Sequence, residues 1–152
     1  MNYWLMKSEP SVYGIDDLKR DRKTVWDGIR NYQARNFMRS MQVGDRAFFY
    51  HSNATPPGIV GLMQIIQTNL ADPTQFDPQS KYYDPKSDPS SPRWQTVQVE
   101  FEKRFCQILT LEMLRQQFTP EELRVVRQGN RLSVMPVEEA VAQKILSQVE
   151  IA

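Results

Sequence analysis

Arg46-Ala47-Phe48-Phe49-Tyr50-His51-Ser52, then Asn53-Ala54-Thr55-Pro56-Pro57, then Gly58-Ile59-Val60-Gly61-Leu62-Met63-Gln64-Ile65-Ile66 is the stretch on which the fold turns. Two apolar runs, rich in aromatic and β-branched residues, flank a short polar segment with two prolines, so the pair reads as adjacent antiparallel strands. Gly58 and Gly61 sit inside the second run without the lysine and helix that a phosphate-binding loop requires. They serve either a bulge or the close approach of a backbone or a ligand. Cys106 and His51 are the only cysteine and the only histidine. No disulfide and no protein-built zinc site is expected from them.

Upstream, Val43-Gly44-Asp45 turns the chain into the first run. Before it, Asn31 is placed to cap a helix whose buried face carries Ala34, Phe37, Met38 and Met41 at helical spacing. Arg35 and Arg39, four residues apart, flank that face. Tyr3 to Lys7 reads as the first strand, Ser8-Glu9-Pro10-Ser11 breaks it, Ile15 to Arg20 is helical, and Thr24-Val25-Trp26 is a brief second strand. Downstream, Ala71 to Arg93 holds five prolines and mostly polar residues. Such a long connection is functional or mobile rather than part of a core. Gln95 to Phe105 alternates as a strand with one wet face, and Cys106 ends it as a small buried hydrophobe. Two short helices follow, the second opened by Thr119-Pro120-Glu121-Glu122 and closed at Gly129. Arg131 to Met135 is a last strand, and Val137 to Val149 a closing amphipathic helix.

Five or six strands among helices of unequal length lack the regular alternation of a doubly wound parallel sheet. The expected class is α+β, a small mixed β-barrel with flanking helices. A length of 152 residues fits one domain, residues 1–152, and the 40% hydrophobic and 24% charged fractions fit an ordinary globular protein. The uncharged apolar stretches are far shorter than the roughly 20 residues of a membrane span, and the N-terminus lacks the pattern of a secretory signal. A cytoplasmic protein is expected.

The net charge of +1 argues against binding nucleic acid through bulk electrostatics. The distribution is uneven. From Lys19 to Arg46, eight basic residues stand against Asp21, Asp27 and Asp45, giving +5 and leaving −4 for the remainder. That segment is either a solvated helix with its loops or a nucleic-acid face.

His51 ends an apolar strand and serves as a base, a ligand donor or a structural histidine. Ser52 points to the opposite face, so the two do not form a nucleophile pair. Lys7 and Glu9 share a face at the end of the first strand and could form an ordinary salt bridge or a functional pair. Trp26 precedes a glycine turn, and Arg30 and Asn31 stand at a helix N-terminus where free N–H groups attract phosphate or carboxylate. The alternative makes Trp26 a core residue and Arg30 a surface charge.

Taken together, Met6-Lys7-Ser8-Glu9-Pro10 and Trp26-Asp27-Gly28-Ile29-Arg30-Asn31-Tyr32-Gln33-Ala34-Arg35-Asn36 resemble the opening signatures of the EVE domain. So do Phe48 to Asn53, Pro57 to Gly61, Tyr83-Asp84-Pro85 with Pro92-Arg93-Trp94, and Arg131 to Val134. The match runs in order along nearly the whole chain. It implies a PUA-like barrel, related to the YTH readers of methylated adenine, with a pocket for a modified base. In those readers a Lys-Ser pair and a tryptophan line the pocket, and Lys7, Ser8 and Trp26 stand at the matching positions. The resemblance adds Arg30, Asn31, Tyr50, His51 and Ser52 as a polar side and Tyr83 as a further aromatic. Arg35 and Arg39 would hold nucleic-acid backbone. No catalytic residue, metal or cofactor is implied.

Met135 departs from the family, where glutamine is expected after Ser133-Val134. The implied function is non-enzymatic binding of a modified nucleobase, a modified cytosine in DNA, by a monomer in the cytoplasm, on the nucleoid or in a nucleus. Two alternatives stay open: a PUA-like amidohydrolase using Lys7 and Glu9 on a modified nucleoside, and an RNA-binding accessory protein.

Overall fold

In the computed structural model, which describes residues 1–151, the two apolar runs pair as read. They are β3 (Arg46–His51) and β4 (Gly58–Ala71), and they run antiparallel. Between Phe49 and Tyr50 the register slips, with Phe49 opposite Gly61 and Tyr50 opposite Ile59. A Cβ on Gly61 would stand 2.6 Å from the Lys103 carbonyl oxygen and 2.7 Å from the Ile15 side chain. Gly61 therefore serves the bulge and the close approach at once.

The other strands are β1 (Tyr3–Ser8), β2 (Lys23–Val25), β5 (Gln95–Thr110) and β6 (Val134–Val137). The helices are α1 (Pro10–Tyr13), α2 (Ile15–Asp21), α3 (Tyr32–Ser40), α4 (Leu111–Gln117) and α5 (Glu139–Ile151). β1 lies parallel to β3 and antiparallel to β6. The six strands form one mixed sheet in the order β2-β5-β4-β3-β1-β6. β2 and β6 are its two ends, so the sheet stays open and "barrel" describes it only loosely.

Strand residues alternate between faces, and here both faces are covered. Tyr3, Leu5, Phe48 and Tyr50 pack with α4 and α5, whereas Trp4, Met6, Ala47 and Phe49 pack with α2, α3 and Trp26. A parallel strand pair normally requires this double burial. Asn31 caps α3 as expected, its Oδ1 accepting from the Ala34 N–H at 2.9 Å, and Ala34, Met38 and Met41 are buried. No helix among the described residues is long and apolar enough to cross a membrane.

Three expectations change. β4 and β5 run on beyond Ile66 and Phe105, and Cys106 is exposed within β5 instead of buried at its end. The polar residues Gln67, Thr68 and Asn69 conceal the extension, which is fixed by cross-strand pairing up to Ala71 opposite Gln95. The α-helix from Thr119 to Gly129 does not form. Thr119 and Glu122 exchange the capping hydrogen bonds, but the chain then enters a 3₁₀ turn, Arg124–Val126. Two adjacent β-branched residues, Val125 and Val126, are both buried there, a pattern poorly suited to a helix.

The third change concerns the connection from Ala71 to Arg93, which enters the core. Gln75 is fully buried, and its amide meets four partners: it donates to the carbonyls of Asp72 and Trp94 and accepts from Ser87 Oγ and the Trp94 N–H. Asp72, 1% exposed, accepts from the Gly28 N–H at 2.8 Å, Arg30 Nη1 at 3.0 Å, the Thr74 N–H at 2.8 Å and Thr74 Oγ1 at 2.6 Å. Arg30 also donates to the carbonyls of Ile29 and Tyr82 and to Thr74 Oγ1. The remaining tie is His51. Its Nε2 accepts from the Ile15 N–H at 3.1 Å, satisfying a donor that the start of α2 leaves open.

Two outcomes follow from these ties. Asp72→Ala leaves the Arg30 cation without its counter-charge, and urea denaturation is expected to show a loss of about 3 kcal/mol. Burial pushes the His51 pKa down, with Asp16 opposing and Arg104 adding to the shift. The folded form thus binds fewer protons than the unfolded chain. The stability His51 contributes is complete above the ordinary imidazole range and is lost as pH falls through that range to the folded value. Denaturation from pH 8 down to about pH 5 should show this decline, and His51→Gln, which keeps an acceptor but takes no proton, should flatten it.

Candidate binding site

β1 and β2 both end at one cleft of about 760 Å³. β1 brings Lys7 and Ser8 to it, and the residues following β2 bring Trp26, Gly28 and Arg30. The opposite rim comes from distant segments, with Tyr82 from the long connection and Asn130, Arg131 and Ser133 from the loop before β6.

Trp26 lines the cleft and packs into the core behind it. It is 6% exposed and held edge-on by Phe49, with ring centroids 5.3 Å apart at 80°. The Trp26 carbonyl is fixed by the buried Thr96 hydroxyl, which donates to it. Gly28 makes the adjoining turn at φ +84°, and a Cβ there would stand 2.7 Å from the Tyr82 ring. Glycine is required on both counts, and its bareness lets Tyr82 lie against the turn.

On the polar side, Ser8 Oγ donates to the Tyr13 carbonyl at 2.6 Å, leaving its lone pairs available to a ligand. Lys7 Nζ reaches the Asn130 carbonyl at 3.5 Å and lies 5.7 Å from the Tyr50 ring centre. Burial lowers the Lys7 pKa. Asp27, which lines the cleft, has its pKa raised first by the partial loss of water around it and second by Asp72, with Arg30 opposing. The Tyr13 hydroxyl is pushed up to about 12 by burial and by its hydrogen bond to Asp21.

The residues singled out in the sequence divide into two groups. Lys7, Ser8, Trp26, Arg30 and Ser52 line the cleft. Asn31, Tyr50, His51 and Tyr83 do not. Asn31 caps α3, Tyr50 lies in the core beneath Lys7, His51 is turned to Ile15, and Tyr83 is 41% exposed outside the cleft. Arg30 presents its guanidinium to Tyr82 and Trp94, at 5.6 and 5.2 Å from the ring centres, but its five N–H groups are spent inside the protein. It braces the cleft instead of offering a free anion contact.

Lys7 and Glu9 both reach the cleft yet bond elsewhere, Glu9 to the Asn53 amide at 2.6 Å. Met135 is fully buried in the core, so its departure from the expected glutamine falls outside the cleft. Sequence reasoning missed Tyr82, Asn130 and Arg131 as lining residues. The available signals were the glycine before Ile29, which makes room for an aromatic, and the Arg131 to Val134 motif, which had no assigned role.

Beside the cleft, Tyr32 stacks on Trp94 with centroids 4.9 Å apart at 21°. Arg35 lies 4.7 Å from Tyr32 and donates to the Arg93 carbonyl, and Arg39 donates to Gln95.

Residues 2–148 match the family model described as the EVE domain. Thymocyte nuclear protein 1 of Homo sapiens is 41% identical over 167 residues, covering 98% of this chain and 74% of its own length. The human THYN1 crystal structure in complex with 5-methylcytosine containing DNA has 39% identity and a TM-score of 0.90, covering 99% of this chain and 98% of the other. A crystal structure of a Pseudomonas syringae protein has 47% identity and a TM-score of 0.91, covering 96% and 98%. With the family model matching residues 2–148 and a relative 41% identical over 98% of its length, the chain belongs to the EVE domain family.

Proposed function

We propose that this protein binds DNA carrying a modified cytosine, without transforming it, by taking the base out of the helix into the cleft walled by Trp26. The observation that carries the reading is that wall: a tryptophan braced edge-on by Phe49 at the side of a cleft whose opposite rim is polar. The human relative's complex with 5-methylcytosine containing DNA supports the choice of ligand.

Extruding a base costs a few kcal/mol, and stacking on an aromatic returns about 1–3 kcal/mol. The remainder must come from polar contacts and from phosphates. In this reading Lys7 donates to a base carbonyl, and its partial burial strengthens that contact by excluding water. Ser8 accepts from an exocyclic amine, Ser52 closes the same side, and Arg35 and Arg39 hold backbone beside α3. A single methyl group in an apolar pocket discriminates by about 1–3 kcal/mol, so recognition is selective and not absolute. A monomer suffices for one base, and the protein would work where genomic DNA is kept, in the cytoplasm with a nucleoid or in a nucleus. Lys7 and Glu9 do not pair, which gives the hydrolase reading no specific support.

The test is quenching of the native tryptophans by short duplexes identical except for one cytosine: plain, methylated or hydroxymethylated. A modified duplex should bind about tenfold more tightly than the plain one, and equal binding across the set would sink the proposal. Trp26→Ala should weaken binding of the preferred duplex by about tenfold or more, measured by anisotropy of a labelled duplex, with a thermal melt to verify that the variant is folded. Unchanged affinity in a folded Trp26→Ala would remove Trp26 as the stacking wall.

A further inference from the structure

The cleft does not end at Asn130 and Arg131. A trough continues from it past Arg127 and Gln128 and on to Arg124, with Gln33 of α3 as its other bank. Asn130 belongs to the cleft and to both stretches of the trough, and Arg131 belongs to the cleft and the nearer stretch.

Three exposed arginines stand along this course. Arg124 opens the 3₁₀ turn and Arg127 follows it in extended backbone, and both line the farther stretch of the trough while Val125 and Val126 anchor the turn in the core. Among the described residues, the guanidinium groups of Arg127 and Arg131 make no hydrogen bond or ion pair, and Arg124 only lies over Phe37 at 5.4 Å. Of the neighbouring acids, Glu122 is tied to Thr119, and Glu121 lines the farther stretch with Arg124 and Arg127 without forming an ion pair with either.

The loop carrying these cations is held in shape by its own bonds. Asn130 Nδ2 donates to the Arg124 carbonyl at 2.7 Å, its N–H to the Arg127 carbonyl at 3.1 Å, and its Oδ1 accepts from the Leu132 N–H at 2.8 Å. The Asn130 carbonyl also takes the hydrogen bond from Lys7. One residue thus links the rim of the cleft to a row of unpaired positive charges.

We infer that the trough of Arg131, Arg127 and Arg124 is a track for the sugar-phosphate strand on one side of the bound base. Positions 33 and 37 of α3 face the trough and positions 35 and 39 face Trp94 and Gln95, so the helix is a ridge between two basic flanks. The inference rests on the base-binding reading and adds where the strand leaves the cleft. Phosphate contacts fix register and orientation and carry no base information. The trough therefore sets affinity and salt dependence and leaves the preference among cytosines to the cleft.

The experiment measures binding of a duplex with one 5-methylcytosine, and of its plain counterpart, from about 50 to 200 mM salt. The protein is the parent, the double variant Arg124→Gln/Arg127→Gln, whose arginines line the trough and not the cleft, or the control Arg20→Gln, whose arginine pairs with Asp17 and Asp21 on α2. Each phosphate contact removed lowers the slope of log K against log salt by about 0.9, so the double variant should lose about 2. Its ratio of methylated to plain binding should stay that of the parent, and the control should match the parent throughout. A double variant with the parent's slope overturns the trough. A reduced slope in the double variant, alongside a parent that shows no preference for the methylated duplex, keeps the trough and overturns the base reading.

Discussion

A carboxylate withdrawn from water must have its lone pairs answered, or its burial costs the fold heavily. Asp72 meets this demand with four donors drawn from two remote parts of the chain, Gly28 and Arg30 on one side and Thr74 on the other. The turn bearing Trp26 and the start of the long connection are thereby locked together. Once Arg30 is drawn in, its remaining donors capture the Tyr82 carbonyl, and Tyr82 settles over the bare Gly28. The knot thus ties the turn after Trp26 to the Tyr82 rim of the cleft.

Gln75 does for the far side of the connection what Asp72 does for the near side. A proline-rich segment has few backbone donors for regular structure, so one buried amide with four partners substitutes for a ladder. Trp94 is fixed through its backbone by Gln75 and through its indole N–H by Asp84. That leaves its ring face as the platform for Tyr32. Order beside the cleft thus comes from side chains, while the sheet behind it supplies the backbone frame.

What could be read in advance was whatever is encoded locally. The antiparallel pair around Pro56 and Pro57, the Asn31 cap and the apolar stripe of α3 depend on neighbours in sequence, and they stand as read. What escaped was encoded across the chain. The polar ends of β4 and β5 are strands only because they pair with each other. Val125 and Val126 give up a helix because a distant core needs both. Tyr82 and Tyr83 are indistinguishable in a segment without period, and only the φ of Gly28 together with the donors of Arg30 selects the first. Arg30 stood out for its chemistry, yet its partner Asp72 lies 42 residues away and looked like loop.

The open ends of the sheet have a consequence for how the protein behaves in a crowded cell. An edge strand is a template on which other chains can extend a ladder. Here one edge, β2, is three residues long, and the other, β6, carries Pro136, which has no N–H to offer. Neither terminal strand offers a foreign chain a long uninterrupted ladder, so the two ends of the sheet are poor templates for pairing with other copies.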